Sequence, residues 1–166
     1  LKLSLLQAQD LDHLQDLYQR CPDYFQAIGQ AQILPDEARQ DWGKVPPGSS
    51  PQDLWALGLW ERGQLDGYVE MLRGYPSPEV AYLGLLMVCQ SRRGQGLARH
   101  LWQAALNQVR QWPQVERIRL AVVETNLAAL RFWPHLGFQA TGEIKAYTLT
   151  DGHQTQVHLY ELRLFH

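Results

Sequence analysis

Between residues 54 and 98 the chain sets three apolar runs one after another and follows them at once with a glycine-paired turn that opens an amphipathic helix. Leu54–Trp60, Leu65–Arg73 and Val80–Val88 are rich in aliphatic and aromatic residues, separated by Glu61-Arg62-Gly63-Gln64 and by a turn that includes Gly74-Tyr75-Pro76-Ser77-Pro78. Runs of this kind bounded by turn residues read as strands, and connections this tight join antiparallel neighbours, so the segment predicts a meander. From Gly94 to Trp112 the apolar residues Leu97, Leu101, Ala105, Val109 and Trp112 recur at helical spacing, and Pro113 closes the pattern. This is the longest predicted helix.

The flanks continue the alternation. Lys2–Leu6 reads as a short strand, and Asp10 offers an N-cap to a helix carrying Leu11, Leu14, Leu17 and Tyr18 on one face. Asp36–Trp42 suits a second helix, running into a breaker-rich loop from Gly43 to Pro51. Ile118, Leu120 and Val122 alternate as a strand, Asn126 caps a helix to about Leu136, and Gly137 supplies its left-handed stop. Phe138–Leu149 and Thr155–Leu164 predict a final hairpin around Asp151-Gly152, with a bulge where the apolar phase slips between Leu159 and Leu162. With no internal repeat, 166 residues make one mixed α/β domain able to bury about two-thirds of its unfolded surface.

Composition narrows the function classes. A formal net charge of −2 leaves no excess of Lys or Arg for a phosphate-backbone footprint, so nucleic acid is not an expected partner. The longest uncharged apolar stretch, Val80–Cys89, is about half of the roughly 20 residues that span a bilayer, and no basic, apolar leader opens the sequence. A cytoplasmic location is expected. Cys21 and Cys89 lie far apart and away from any metal-ligand spacing, which reads as two reduced structural thiols and no metal site.

Ser91-Arg92-Arg93-Gly94-Gln95-Gly96-Leu97-Ala98 follows the third meander strand directly. Glycines at such a turn let backbone N–H groups approach a ligand, and the helix N-terminus adds roughly half a positive charge, which together favour a pyrophosphate. A Walker A loop would need Lys and then Ser or Thr after its last glycine, and a dinucleotide fingerprint would need Gly or Ala where Arg99 stands. Neither pattern is present.

Here the chain resembles the GNAT N-acetyltransferase superfamily, whose motif is Gln or Arg, two residues, Gly, one residue, then Gly or Ala. The later segment Val122-Val123-Glu124-Thr125-Asn126, followed by Ala129, Phe132, Trp133, Gly137 and Phe138, is similar to that family's strand-Asn-helix stretch. The resemblance is specific from about Leu83 to Thr141. It implies a mainly antiparallel seven-stranded mixed sheet, flanked by about four helices and splayed between its fourth and fifth strands. It also implies acetyl-CoA as co-substrate, its pantetheine against the backbone of Leu86, Met87 and Val88, and its phosphates on Arg93, Gly94, Gln95, Gly96, Leu97 and Ala98. Asn126 reads as a helix cap, a cofactor contact, or both. Ser91 departs from the family's Gln or Arg, and Trp133 replaces a Tyr that in many members protonates the departing thiolate.

The implied reaction is acetyl transfer to a primary amine of a small-molecule or peptide acceptor by direct attack on the thioester. An alkyl ammonium has a pKa of about 10, so a base or a water chain must take its proton. No carboxylate lies in Val80–Val88 or Ile118–Val123, which leaves Glu70 on the preceding strand as the candidate base; it also reads as a solvated strand residue. Tyr82 is the second catalytic candidate. Tyr24, Phe25, Trp42, Tyr75 and Tyr147 are the aromatics expected near an acceptor amine. The reading from another class is a non-catalytic CoA or acyl-CoA-binding module, for which Trp133 is the support. A homodimer is compatible with either.

Overall fold

The computed structural model describes residues 1–165. The apolar runs become strands β1 (Lys2–Leu5), β2 (Leu54–Glu61), β3 (Gln64–Arg73), β4 (Val80–Val88), β5 (Arg117–Val123), β6 (Gln139–Thr148) and β7 (Gln154–Arg163). They form one sheet in the order β1-β2-β3-β4-β5-β7-β6. Every neighbouring pair is antiparallel except β4 and β5. Among the described residues five α-helices accompany it: α1 (Leu11–Gln19), α2 (Pro22–Ala27), α3 (Glu37–Asp41), α4 (Leu97–Val109) and α5 (Leu127–His135).

The central strands read as near-continuous apolar runs because both faces of the sheet are covered. On β3, Val69 and Met71 pack with Leu101, Ala105 and Val109 of α4, whereas Tyr68 packs with Leu14, Leu17 and Tyr18 of α1. Leu101 is 0% exposed, a burial that contributes about 1.5–3 kcal/mol for a side chain of this size. Glu70 therefore faces the α1 side of the sheet, between Tyr68 and Leu72.

The parallel pairing of β4 with β5 covers only Val80–Tyr82 against Arg117–Arg119. Beyond it β4 stays with β3 as far as Val88 opposite Gly67, and β5 stays with β7 as far as Val123 opposite Val157. Each bank is held by its own antiparallel partner, so the strands part and leave the inner edge of β4 unpaired. The implied splay is thus present.

Several local expectations are corrected. The sequence also left unplaced α2, which Pro22 at the first helical position and Asp23 in the first turn start. The long helix begins at Leu97, not Gly94, because Gly94 and Gly96 hold φ of 79° and 81°, outside the right-handed helical region. Asp10 does not cap α1 with its side chain; a short 3-10 turn, Ala8–Asp10, precedes the helix, and the carboxylate accepts from Gln7 N–H at 2.9 Å. The bulge lies on β6, between Ala140 and Ile144, while β7 keeps continuous register with β5. Gly142, at φ 84°, accommodates it.

Candidate active site

Where β4 and β5 part, a cavity of about 380 Å³ opens. Leu86, Met87 and Val88 of β4 form one bank, with Arg93 and Ala98 beyond them; Asn126, Ala129, Phe132 and Trp133 form the other. Of the residues expected to hold the cofactor, Leu86, Met87, Val88, Arg93, Ala98 and Asn126 line this cavity. Gly94, Gln95, Gly96 and Leu97 do not; they form the turn and first helical position beside it.

That turn is shaped for an anion. Gly96 is the N-cap of α4 in the left-handed region, and the backbone bond His100 N–H to Gly96 O, 3.1 Å, is the first of the helix. The N–H groups of Leu97, Ala98 and Arg99 consequently have no intrahelical acceptor. Nothing lies within 4 Å of a Cβ built on Gly94 or Gly96. The glycines are thus required by backbone conformation and not by neighbouring protein atoms, and the space in front of the turn is open.

The two arginines divide the work. Arg92 is bound inward, to Glu61 and at 2.7 Å to Asp66, a carboxylate only 4% exposed that also takes Arg20 at 3.0 Å. It tethers the turn to the sheet. Arg93 donates from Nε to Val88 O at 3.1 Å and pairs through its guanidinium with Asp23 of α2. Burial works against the Asp23 charge, but the hydrogen bond and positive charge of Arg93, together with backbone N–H donors, outweigh it and hold the carboxyl below its ordinary range.

Asp23, Tyr24 and Ala27 bring α2 into the cavity wall. One end of this helix is pinned by Asp23 to Arg93 on the β4 bank, and the other by Ala27 O, which accepts from Thr125 Oγ1 on the β5 bank. The helix straps the mouth of the splay. Burial, aided by the nearby Tyr147, Asp41 and Glu70, pushes the Tyr24 phenol up to about 12.

Glu70 sits on the α1 face at the head of the splay. Its Oε2 accepts from Tyr68 Oη at 2.7 Å, and Oε1 lies 3.0 Å from where a Cβ on Gly84 would stand. Gly84 is the unopposed residue of a β4 bulge, since Glu70 pairs with Leu85 and Met71 with Leu83. The missing side chain makes room for the carboxylate. Burial raises the Glu70 pKa, partly countered by the Tyr68 hydrogen bond and reinforced by Asp41. Neither Glu70 nor Tyr82 lines the cavity. Tyr82 lies on the closed side of the splay, opposite Arg119, with its ring edge-on to Tyr75 at 5.5 Å.

Among the expected acceptor aromatics, Tyr24 reaches the cavity and Tyr147 lies near it, whereas Phe25 is buried against Tyr18 and Trp42 packs on the α1-side core. Asn126 acts as a cap, its Oδ1 accepting from Ala129 N–H at 3.2 Å, and it also faces the cavity. Trp133 is packed edge-on against Trp102, Phe132 and Phe138. Sequence reasoning missed Asp23, Thr125 and Gly84. Asp23 after Pro22 marked a helix start, but nothing local revealed that it meets Arg93.

A family profile described as Acetyltransferase (GNAT) family matches residues 11–138. No curated protein sequence matches the chain. Among solved structures, the chain is similar to an acetyltransferase from Thermus thermophilus, at 23% identity over 99% of this chain and 98% of that chain, with a TM-score of 0.76. It is similar to the ribosomal-protein-S18-alanine N-acetyltransferase of Escherichia coli, at 20% identity over 98% and 92%, TM-score 0.72. A spermidine N-acetyltransferase from Vibrio cholerae, in complex with CoA and spermine, aligns at 18% identity over 98% and 94%, TM-score 0.72. These likenesses show a shared fold. The profile match, which spans both the glycine turn and the Asn126 helix, shows that the chain belongs to the acetyltransferase (GNAT) family.

Proposed function

We propose that the protein transfers an acetyl group from acetyl-CoA to a primary amine by direct attack on the thioester. The observation that carries this reading is the splay, a β4 edge left unpaired beyond Tyr82 that leads to the turn and open N-terminus of α4. An extended pantetheine adds to such an edge as a strand would, and the unpaired amides of α4 suit a pyrophosphate. The apolar wall of Leu86, Ala129, Phe132 and Trp133 excludes water from the thioester.

In this reading the amine approaches from the α1 face, where Glu70 and Asp41 favour a cation. Glu70 accepts the ammonium proton, directly or through water, with a pKa raised toward neutrality by its burial. The freed amine attacks the carbonyl carbon; the C–N bond forms, the nitrogen gives its second proton to solvent, the C–S bond breaks and CoA leaves as thiolate. Backbone N–H groups near Met87 and Val88 stabilise the charge that develops on the carbonyl oxygen.

The acceptor is an amine on a small molecule or a peptide, the two classes acted on by the similar proteins named above. Thiol release from acetyl-CoA, monitored against spermidine and peptides beginning with alanine, is expected to show saturable turnover with one class. CoA binding without thiol release from any amine would replace the enzyme reading with a binding module.

A further inference from the structure

The side chain that many related enzymes use to assist thiolate departure is absent, since Trp133 occupies its place in an aromatic cluster and an indole N–H is a weak acid. Tyr24 carries the only hydroxyl in the cavity wall among the described residues. Its position is fixed at three points: the ring stands edge-on to Phe25 at 5.2 Å, Asp23 beside it is paired with Arg93, and the end of α2 is bonded to Thr125. Neighbouring phenols are engaged, Tyr68 with Glu70 and Tyr18 with Asp41, whereas the Tyr24 hydroxyl makes no hydrogen bond among the described residues. A rigidly held, unengaged donor thus stands in a cavity wall whose other polar residues are Asp23, Arg93 and Asn126.

We propose that Tyr24 is a catalytic residue whose hydroxyl donates a hydrogen bond to the departing CoA thiolate, supplying from α2 the phenol that α5 lacks. This rests on the acetyl-transfer reading above. The proton stays on Tyr24: a phenol held near 12 does not protonate a thiolate whose conjugate acid lies near about 8.5. The C–S bond breaks with the electron pair on sulfur, the Tyr24 O–H shares its proton with that charge, and solvent protonates the thiolate after release. Burial, reinforced by the nearby Asp41 and Glu70, keeps the phenol in the donating form throughout the neutral range.

Tyr24→Phe keeps the ring packing and removes only the donor. Hydrogen bonds to charged groups are worth about 1.5–3 kcal/mol, so kcat should fall about 10- to 100-fold with the KM for acetyl-CoA unchanged. Adding Trp133→Tyr to that variant should recover part of the loss. A second readout needs no turnover. Thiolate absorbance of bound CoA, titrated with pH, should give a lower thiol pKa in the parent than in Tyr24→Phe. An active parent with kcat unchanged in Tyr24→Phe, or equal bound-thiol pKa values, overturns the role of Tyr24 and leaves acetyl transfer standing. A parent that neither binds CoA nor turns over overturns acetyl transfer itself, and the role of Tyr24 with it.

Discussion

Replacing Gly96 should separate the folding role of the glycine turn from its ligand role. The residue caps α4 at φ 81°, with nothing within 4 Å of an added Cβ, so the first side-chain atom of either Ala or Glu finds open space. Both incur the left-handed penalty of a residue with a Cβ, about 1–2 kcal/mol. At about 2–4 °C per kcal/mol for a chain of this length, each free variant should melt about 2–8 °C below the parent. The ligand effect differs between them. CoA at about 100 times its Kd stabilises the native state by about 2.7 kcal/mol, or about 5–11 °C on the same scale. Gly96→Glu sets a carboxylate before the unpaired amides of Leu97, Ala98 and Arg99 and should abolish that rise, whereas Gly96→Ala should retain most of it. Thermal melts of the three proteins with and without millimolar CoA decide the matter. An equal CoA shift in parent and Gly96→Glu would remove the pyrophosphate from this turn, and no shift in the parent would remove CoA from the protein.

Glu70→Gln should lower kcat by about 10²-fold or more at neutral pH, with partial recovery as the amine loses its own proton near pH of about 10. The raised Glu70 pKa puts the acid limb of the parent profile above the ordinary carboxylate range, and the variant should lose that limb; superimposable pH–rate profiles would assign proton removal elsewhere. Linkage adds a stability sign: a folded pKa raised by burial gives stability present at low pH and lost as pH climbs through it. Urea midpoints should therefore favour Glu70→Gln over the parent more at about pH 7 than at about pH 4. Asn126→Ala deletes the cap on Ala129 N–H and should reduce unfolding free energy by about 1 kcal/mol in urea titrations. A fall in CoA affinity in the still-folded variant would show that Asn126 also touches the cofactor, and unchanged affinity would leave it a cap alone.

Local features of the chain reached a long way. The apolar run Val80–Val88 is a strand with the same bounds, Asn126 caps α5, and the glycines before Leu97 open the longest helix, because strand burial, capping and left-handed backbone are decided within a few residues. The short α2 escaped notice because six residues carry too few turns for a periodic signal. What tertiary structure alone decided is the assembly of the site. Asp23 and Arg93 are separated by 70 positions and Thr125 and Ala27 by 98, so the strap that delivers Tyr24 exists only after the sheet has formed. The cleft beneath it has the same origin. β4 leaves β5 after Tyr82, where the Gly84 bulge bends it, and β3 and β7, remote in sequence from each other, keep the two banks apart from there on.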